Sequence, residues 1–255
     1  EAAAWRDAAK AVFIPYDEKL GVHPQAEAFT QHQSWDFAHT PEDRYPLFLH
    51  FPYFDLYRKQ VVKQTDLVLA LHLRGDAFSD EVKARDFAYY EALTVRDSSL
   101  SACTQAVLAA ETGHLELAYD YFGEAAMIDL DDLEHNTRDG LHIASLAGAW
   151  IVAVAGFGGM RDHGGSLSFA PRLPERLSRL AFGLCFRGRR LKVEVEHRHA
   201  RYSLLEGAPL EIAHHGETVH VTVEEPVTSA IPAPPTREVP TQPFGRAPAR
   251  RRSAG

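Results

Sequence analysis

A chain of 255 residues with 45% hydrophobic content can bury a substantial core, as one large domain or two small ones. Its net charge of −8 is unevenly spread: the stretch from Pro226 carries Arg237, Arg246, Arg250, Arg251 and Arg252 against Glu238, and setting that +4 aside leaves −12 on Glu1 to Glu225. So acidic a body argues against a nucleic-acid groove, and no apolar run is long enough to span a bilayer. Glu1 to Lys10 lacks the basic start and apolar core of a secretion signal. Cys103 and Cys185 lie far apart and make neither a disulfide framework nor a metal spacing, which fits a reducing cytoplasm. The chain opens without methionine inside an Ala-rich helical pattern, which points to a piece of a longer protein.

In chain order, Glu1 to Phe13 places Trp5, Ala8, Ala9 and Val12 on one helical face, and Pro15 ends it. Tyr16 to Thr40 reads as a long irregular excursion, a kind of segment that is often functional. Its rings, Phe29, Trp35 and Phe37, either stack on a sugar or pack the loop down. Thr40-Pro41 starts a helical stretch that Pro46 and Pro52 keep short. Tyr53 to Leu73 reads as one strong helix, with Leu56, Val61, Leu67, Val68 and Leu71 among its buried candidates and Gly75 as its stop.

Ser79 to Leu93, Ser98 to Thr112, His114 to Leu130 and Asp139 to Gly156 come next as amphipathic or apolar helices separated by turn signals, an array of α-hairpins. No fixed-period repeat accompanies them, which favours a barrel of hairpins over a solenoid. At Ser166 the apolar period changes from helical to alternating. Leu180, Phe182, Leu184 and Phe186 are followed by Leu191, Val193 and Val195, then Tyr202 and Leu204, Leu210 and Ile212, and Val219, Val221 and Val223. This predicts a small antiparallel β domain over residues 166–225, with Arg179, Arg187, Lys192, Glu194 and Glu196 on its wet face. The fold class is therefore mainly α, over residues 1–165, with a C-terminal β unit. Residues 226–255, rich in Pro and Arg without an apolar period, read as a disordered tail.

Chemistry-bearing residues gather in the connections. Tyr89 to Ser101 joins two helices, and Ser98 or Ser99 suits the N-cap of the second, where backbone N–H groups and hydroxyls face outward at the positive end of a helix dipole. A plain cap and an anion site both fit that pattern. Lys63-Gln64 falls in the middle of the otherwise apolar helix, so the lysine head either reaches a cavity or lies on a solvated face. Glu91 ends its helix, where the dipole disfavours a carboxylate. Asn136 to His142 repeats the pattern of polar turn, Gly140 and helix start, aiming the Gly140 and Leu141 amides and the His142 ring at the loop end of the array. His197, His199, His214 and His215 lack the ligand count of a metal site.

Three motifs carry a resemblance. V-V-K-Q-T-D-L-V-L at Val61 to Leu69, Y-Y-E-A-L-T-V-R-D-S-S-L-S at Tyr89 to Ser101 and N-T-R-D-G-L-H-I-A-S-L-A-G-A-W at Asn136 to Trp150 make the chain similar to the C-terminal part of family 65 glycoside hydrolases, the trehalose, maltose and kojibiose phosphorylases. The resemblance runs from about Trp5 to Val223. It implies part of an (α/α)6 barrel followed by a small β-sandwich-like domain. It also implies that Lys63, Gln64 and Glu91 bind the glucosyl unit, that Ser98, Ser99, Gly140 and His142 bind phosphate, and that the reaction is inverting phosphorolysis to β-glucose 1-phosphate. No metal or cofactor is implied; inorganic phosphate is the co-substrate and a disaccharide the other ligand. The full-length family proteins are usually dimers.

Two departures stand out. The family's general-acid Glu belongs to a G-P-D-E-Y-like motif upstream of Lys63-Gln64 that Glu1 to Gly255 does not contain, so no catalytic acid is assigned in this chain, and many members have His where Arg96 stands. A family hydrolase of the acid trehalase type, with Glu91 or Asp97 activating water, and a non-catalytic sugar-binding or interaction module remain alternatives.

Overall fold

Ser79 accepts a hydrogen bond from Val82 N through its side chain and starts the first long helix of the core, which shows how local sequence sets the helical array. In the computed structural model, which describes residues 1–249, the helical part opens with α1 (Ala2–Ala11), α2 (Leu47–His50) and α3 (Tyr53–Leu56). It continues with α4 (Asp66–Leu73), α5 (Asp80–Glu91), α6 (Ser101–Glu111), α7 (Leu115–Met127) and α8 (Ile143–Ile151), the last running on as a π-helical turn over Val152–Phe157. α6 is the axis of this part. Its small and apolar residues are buried on every side, from Ser101 and Ala102 through Gln105 to Ala110, and α4, α5, α7 and α8 all pack on it.

The chain from Tyr16 to Thr40 is irregular, as its composition predicts, but it is packed down. Phe29 is buried and stacks on Tyr90 with centroids 5.9 Å apart, and Trp35 meets Phe51 edge-on at 4.9 Å. Two-residue strands β1 (Gln33–Ser34) and β2 (Lys59–Gln60) pair in parallel and tie the excursion to the core.

One predicted element is broken. Tyr53 to Leu73 is not a single helix: it divides into α3, β2, an extended stretch at Val62 and α4. The apolar run around Val61 satisfies a helical period and an extended strand equally well, and pairing with the chain at Thr94 decides for the strand. α1 forms where expected, yet none of its residues is buried.

Glu111, at the end of α6, fastens the helices to the chain that leads into the β unit. Its carboxylate takes Lys83 Nζ and Arg161 Nη2, both at 2.6 Å, and its carbonyl accepts from Arg172 Nη1 at 3.3 Å. Burial raises the Glu111 pKa, but Arg161 and Lys83 outweigh it and hold the carboxyl below the usual glutamate range.

Beyond it lies the β unit, with β3 (Ser168–Phe169), β4 (Leu180–Phe186), β5 (Arg189–Val195), β6 (His199–Glu206), β7 (Leu210–His214), β8 (Glu217–Val221) and β9 (Val227–Ala230). The antiparallel sheet β4-β5-β6-β9 stands with a second sheet, β3-β7-β8, whose β3–β7 pairing is parallel. Alternate residues Leu191, Val193, Val195, Ala200, Tyr202, Ile212 and Val221 fill the interior. Tyr202 packs on Phe169 at 5.2 Å and its hydroxyl lies 2.7 Å from His214 Nδ1.

The expectation of a disordered tail from Pro226 is corrected over the described residues. Val227–Ala230 pairs with β6 as β9, and the chain then returns across the helices to Ala249. Low hydrophobicity marks a segment that cannot build its own core, but one that finds partners on an existing body is ordered by them. The rest of that expectation, residues 250–255, lies outside the described residues.

Candidate functional site

Two loops lie side by side because their backbones are zipped together. Val62 N donates to Leu93 O and Val95 N donates to Val62 O, each at 2.9 Å, forming a parallel bridge between Val62 and Thr94. That pairing brings Lys63 and Gln64 next to Asp97 and Ser98 although more than thirty positions separate them in the sequence. Ser98 Oγ donates to Gln64 Oε1 at 2.9 Å, and Ser101 Oγ donates to the Lys63 carbonyl at 3.4 Å.

Lys63 and Gln64 are therefore loop residues preceding α4, not mid-helix residues as their spacing predicted. The Lys63 ammonium lies 4.1 Å from the centre of the Phe48 ring. Lys63, Gln64, Asp97, Phe48, Tyr53 and Tyr57 line an open cavity of about 320 Å³, a wall of rings and polar groups in the proportions of a small-ligand site.

Asp97 is the hub beneath this cavity. Its Oδ2 accepts from Leu47 N at 2.5 Å and its Oδ1 from Arg246 Nη2 at 3.2 Å. Burial nevertheless raises its pKa above the usual carboxylate range, with Leu47 N and Arg246 opposing the shift. Ser98 and Ser99 are not the N-cap residues that the sequence suggests: α6 begins at Ser101 with Leu100 as its N-cap, and Ser98 Oγ accepts from Leu100 N at 3.4 Å.

Glu91 ends α5, as predicted, but its side chain is 1% exposed. Gln105 Nε2 donates to its Oε2 at 2.6 Å, Gln242 Nε2 to its Oε1 at 2.9 Å, and the Tyr121 hydroxyl donates to Oε1 as well. Burial raises its pKa despite these donors. Arg96, in a left-handed conformation at φ 56°, turns away from the open cavity to pair with Glu124 at 2.9 Å.

His142 sits at the N-cap of α8. Its backbone N–H donates to Asp129 Oδ2 at 2.9 Å and its Nδ1 lies 2.6 Å from Asp129 Oδ1, an arrangement that puts a proton on Nδ1 and leaves Nε2 for another partner. That hydrogen bond lowers the Asp129 pKa. Gly140, at φ 133°, has open space where a side chain would stand.

α6 and α8 run side by side in the same direction. Leu100, Cys103 and Val107 of the first face Ala144, Gly148 and Ile151 of the second across a cavity of about 240 Å³ that Gln64 also lines. The Ser98 and His142 loops thus lie at one end of the array. The structure joins Lys63, Gln64, Asp97 and Ser98 directly, whereas Glu91 is not in the lining of their cavity and is buried among Gln105, Tyr121 and Gln242. Among the described residues it records no contact between His142 or Gly140 and the Ser98-Ser99 pair. Sequence reasoning missed Asp129, Gln105, Tyr121, Gln242 and Arg246. A carboxylate thirteen positions before His142 carried no local signal, and the composition of the tail pointed away from its two residues.

Residues 1–151 match the glycosyl hydrolase family 65 central catalytic domain, and residues 160–221 match the C-terminal domain of the same family. The chain belongs to glycosyl hydrolase family 65. An uncharacterized glycosyl hydrolase of Mycobacterium leprae is 56% identical over 255 residues, covering 99% of this chain and 32% of the relative. The alpha,alpha-trehalose phosphorylase of Geobacillus stearothermophilus is 42% identical over 227 residues, covering 89% of this chain and 30% of the enzyme. A solved structure provisionally named kojibiose phosphorylase, from human microbiome, superposes with a TM-score of 0.82 at 26% identity, covering 92% of this chain and 34% of that one. The family 65 chain thus spans about a third of the length of the curated relatives it matches. Among its described residues no helix is long and apolar enough to cross a membrane, and no group of three or more His, Cys, Asp or Glu could hold a metal ion.

Proposed function

We propose that this family 65 chain is the glucose- and phosphate-binding part of an inverting α-glucoside phosphorylase that releases β-glucose 1-phosphate. The observation that carries the reading is the zipped pair of loops, which sets Lys63, Gln64 and Asp97 around one ring-lined cavity, with Ser98 hydrogen-bonded to Gln64 at its edge, in a chain whose relatives include trehalose, maltose and kojibiose phosphorylases. In this reading Lys63 and Gln64 hold the glucosyl hydroxyls over Phe48 and Tyr53, and the Glu91 carboxylate accepts from a further hydroxyl of the same unit. Phosphate lies at the Ser98 end, near the start of α8, where the Gly140 amide and the Nε2 of His142 meet it. A phosphate oxygen attacks the anomeric carbon, and the glycosidic oxygen leaves from the opposite face with a proton from a carboxylic acid outside Glu1 to Gly255. Phosphate is already a nucleophile, so the protein supplies position and charge stabilisation and needs no second carboxylate as base. Glu91 makes a poor water-activating base for a hydrolase, because Gln105 and the Tyr121 hydroxyl, both from the helical body, already donate to its two oxygens.

The test is product formation by the full-length protein from α-linked glucose disaccharides with and without phosphate. The expected product is β-glucose 1-phosphate, formed only with phosphate. Ser98→Ala and His142→Ala each lower kcat/KM for phosphate about tenfold or more, the scale of one lost hydrogen bond to a charged ligand. Equal turnover in phosphate-free buffer would move the assignment to hydrolysis.

A further inference from the structure

The tail crosses the helices along a path built to receive it. After β9, the carbonyl of Pro235 passes so close to Gly113 that a Cβ there would stand 2.6 Å from it. Gly113 lies in the left-handed region at φ 96°, so that position favours glycine for its conformation as well as for the crossing. Pro240, Pro243 and Pro248 are buried, and proline brings no N–H that needs a partner, which suits a segment pressed onto a surface.

Between them the polar side chains engage the candidate site. Gln242 Nε2 donates to Glu91 Oε1 at 2.9 Å. Arg246 Nε donates to the Val95 carbonyl at 2.6 Å and its Nη2 to Asp97 Oδ1 at 3.2 Å, with its guanidinium 4.5 Å from the centre of the Tyr45 ring. In return Arg96 donates to the Arg246 and Ala247 carbonyls, the latter at 2.6 Å, and Ala249 N donates to Glu124 Oε2 at 2.8 Å. The segment lies beyond residue 221, where the match to the family's C-terminal domain stops.

These contacts create a conflict. A sugar hydroxyl that uses Glu91 must donate to its carboxylate, and the donor already in place on Oε1 beside Tyr121 is the amide of Gln242. With Glu91 1% exposed, sugar and tail cannot both reach it. The attachment is also of a kind that can open: it rests on separate polar contacts, and the one large ring in the segment, Phe244, is 77% exposed.

We propose that residues 240–249 form a strap that occupies the sugar side of the site and must be displaced from Glu91 before glucose binds there, an inference that rests on the glucosyl role of Glu91 in the proposed function. Gln242 stands in for a sugar hydroxyl on Glu91, and Arg246 pins the Val95–Asp97 loop.

The experiment combines hydrogen exchange with calorimetric titration by glucose, on the native chain and on Gln242→Ala/Arg246→Ala. The native amides of residues 241–249 exchange slowly without sugar, and glucose speeds them. The double substitution abolishes the protection and tightens glucose binding about tenfold, the gain for a strap closed about nine-tenths of the time. Gln242→Glu, which keeps the side-chain volume and sets a like charge against Glu91, releases the strap in the same way, so the effect is separable from loss of fold. Fast exchange at residues 241–249 in the native chain overturns the strap, and so does equal glucose affinity in the native and substituted chains, which leaves the sugar site standing. Glucose binding to neither chain, with the strap still protected, overturns the glucosyl role of Glu91 and the competition with it.

Discussion

His72 and His215 are neutral in the folded protein well into acid. Burial lowers both to about 4 from an ordinary 6.5, with Arg161 adding to the effect at His72 and Arg172 at His215. The unfolded chain takes up protons on these rings as pH falls through 6.5, while the native state does so only near 4. Stability contributed by the two groups is therefore complete above about pH 6.5 and lost progressively between there and about 4. Urea unfolding midpoints should fall across that window, and His72→Leu should make the slope shallower. The difference between the two chains isolates the imidazole from Glu91 and Asp97, whose raised values act in the opposite direction. A slope unchanged by the substitution would show that His72 protonates as readily in the folded state as in the unfolded one.

Where α6 meets α8, close packing depends on one missing side chain. A Cβ at Gly148 would stand 2.5 Å from Cys103 Sγ and 2.6 Å from Cys103 Cβ, so alanine there forces the helices apart or pushes the thiol off its rotamer. Gly148→Ala should cost about 1–3 kcal/mol of unfolding free energy, the usual range for overpacking a tight core, and Cys103→Ala in the same chain should restore only the part due to the sulfur, because the Cβ at position 103 remains in the way. Chemical denaturation of the single and double substitutions measures both. Because this contact also sets the two helix beginnings side by side, the substitution should weaken phosphate binding in the proposed site more than it changes contacts within either loop. The helices themselves were readable from residue spacing. The pairing of Val62 with Thr94 was not, since a short apolar run has the same composition in a helix and in a strand.

Across the whole molecule, one flank remains uncovered. Leu141, Ile143, Leu146, Trp150 and Ile151 are exposed along α8 and its approach, with Trp150 at 59%, and Trp5 of α1 is 72% exposed among the described residues. An apolar surface of this kind drives association in water. Sedimentation velocity on the chain Glu1 to Gly255 should show concentration-dependent self-association, and a monodisperse monomer across the range would show that the flank is tolerated by the chain alone.

Local order along the sequence settled the helical hairpins, the change to alternating strands at Ser166 and the family, because periodicity and the three motifs are properties of neighbouring residues. It also singled out Lys63, Gln64, Glu91, Ser98 and His142. Which of these meet was decided only in three dimensions. Gln64 reaches Ser98 through a backbone bridge between distant segments, His142 is held by an aspartate from the preceding turn, and Glu91 is closed over by a glutamine from the far end of the chain. Contacts between such distant residues leave no periodic trace, because their energies depend on burial and on the direction of single donors and acceptors rather than on spacing along the chain.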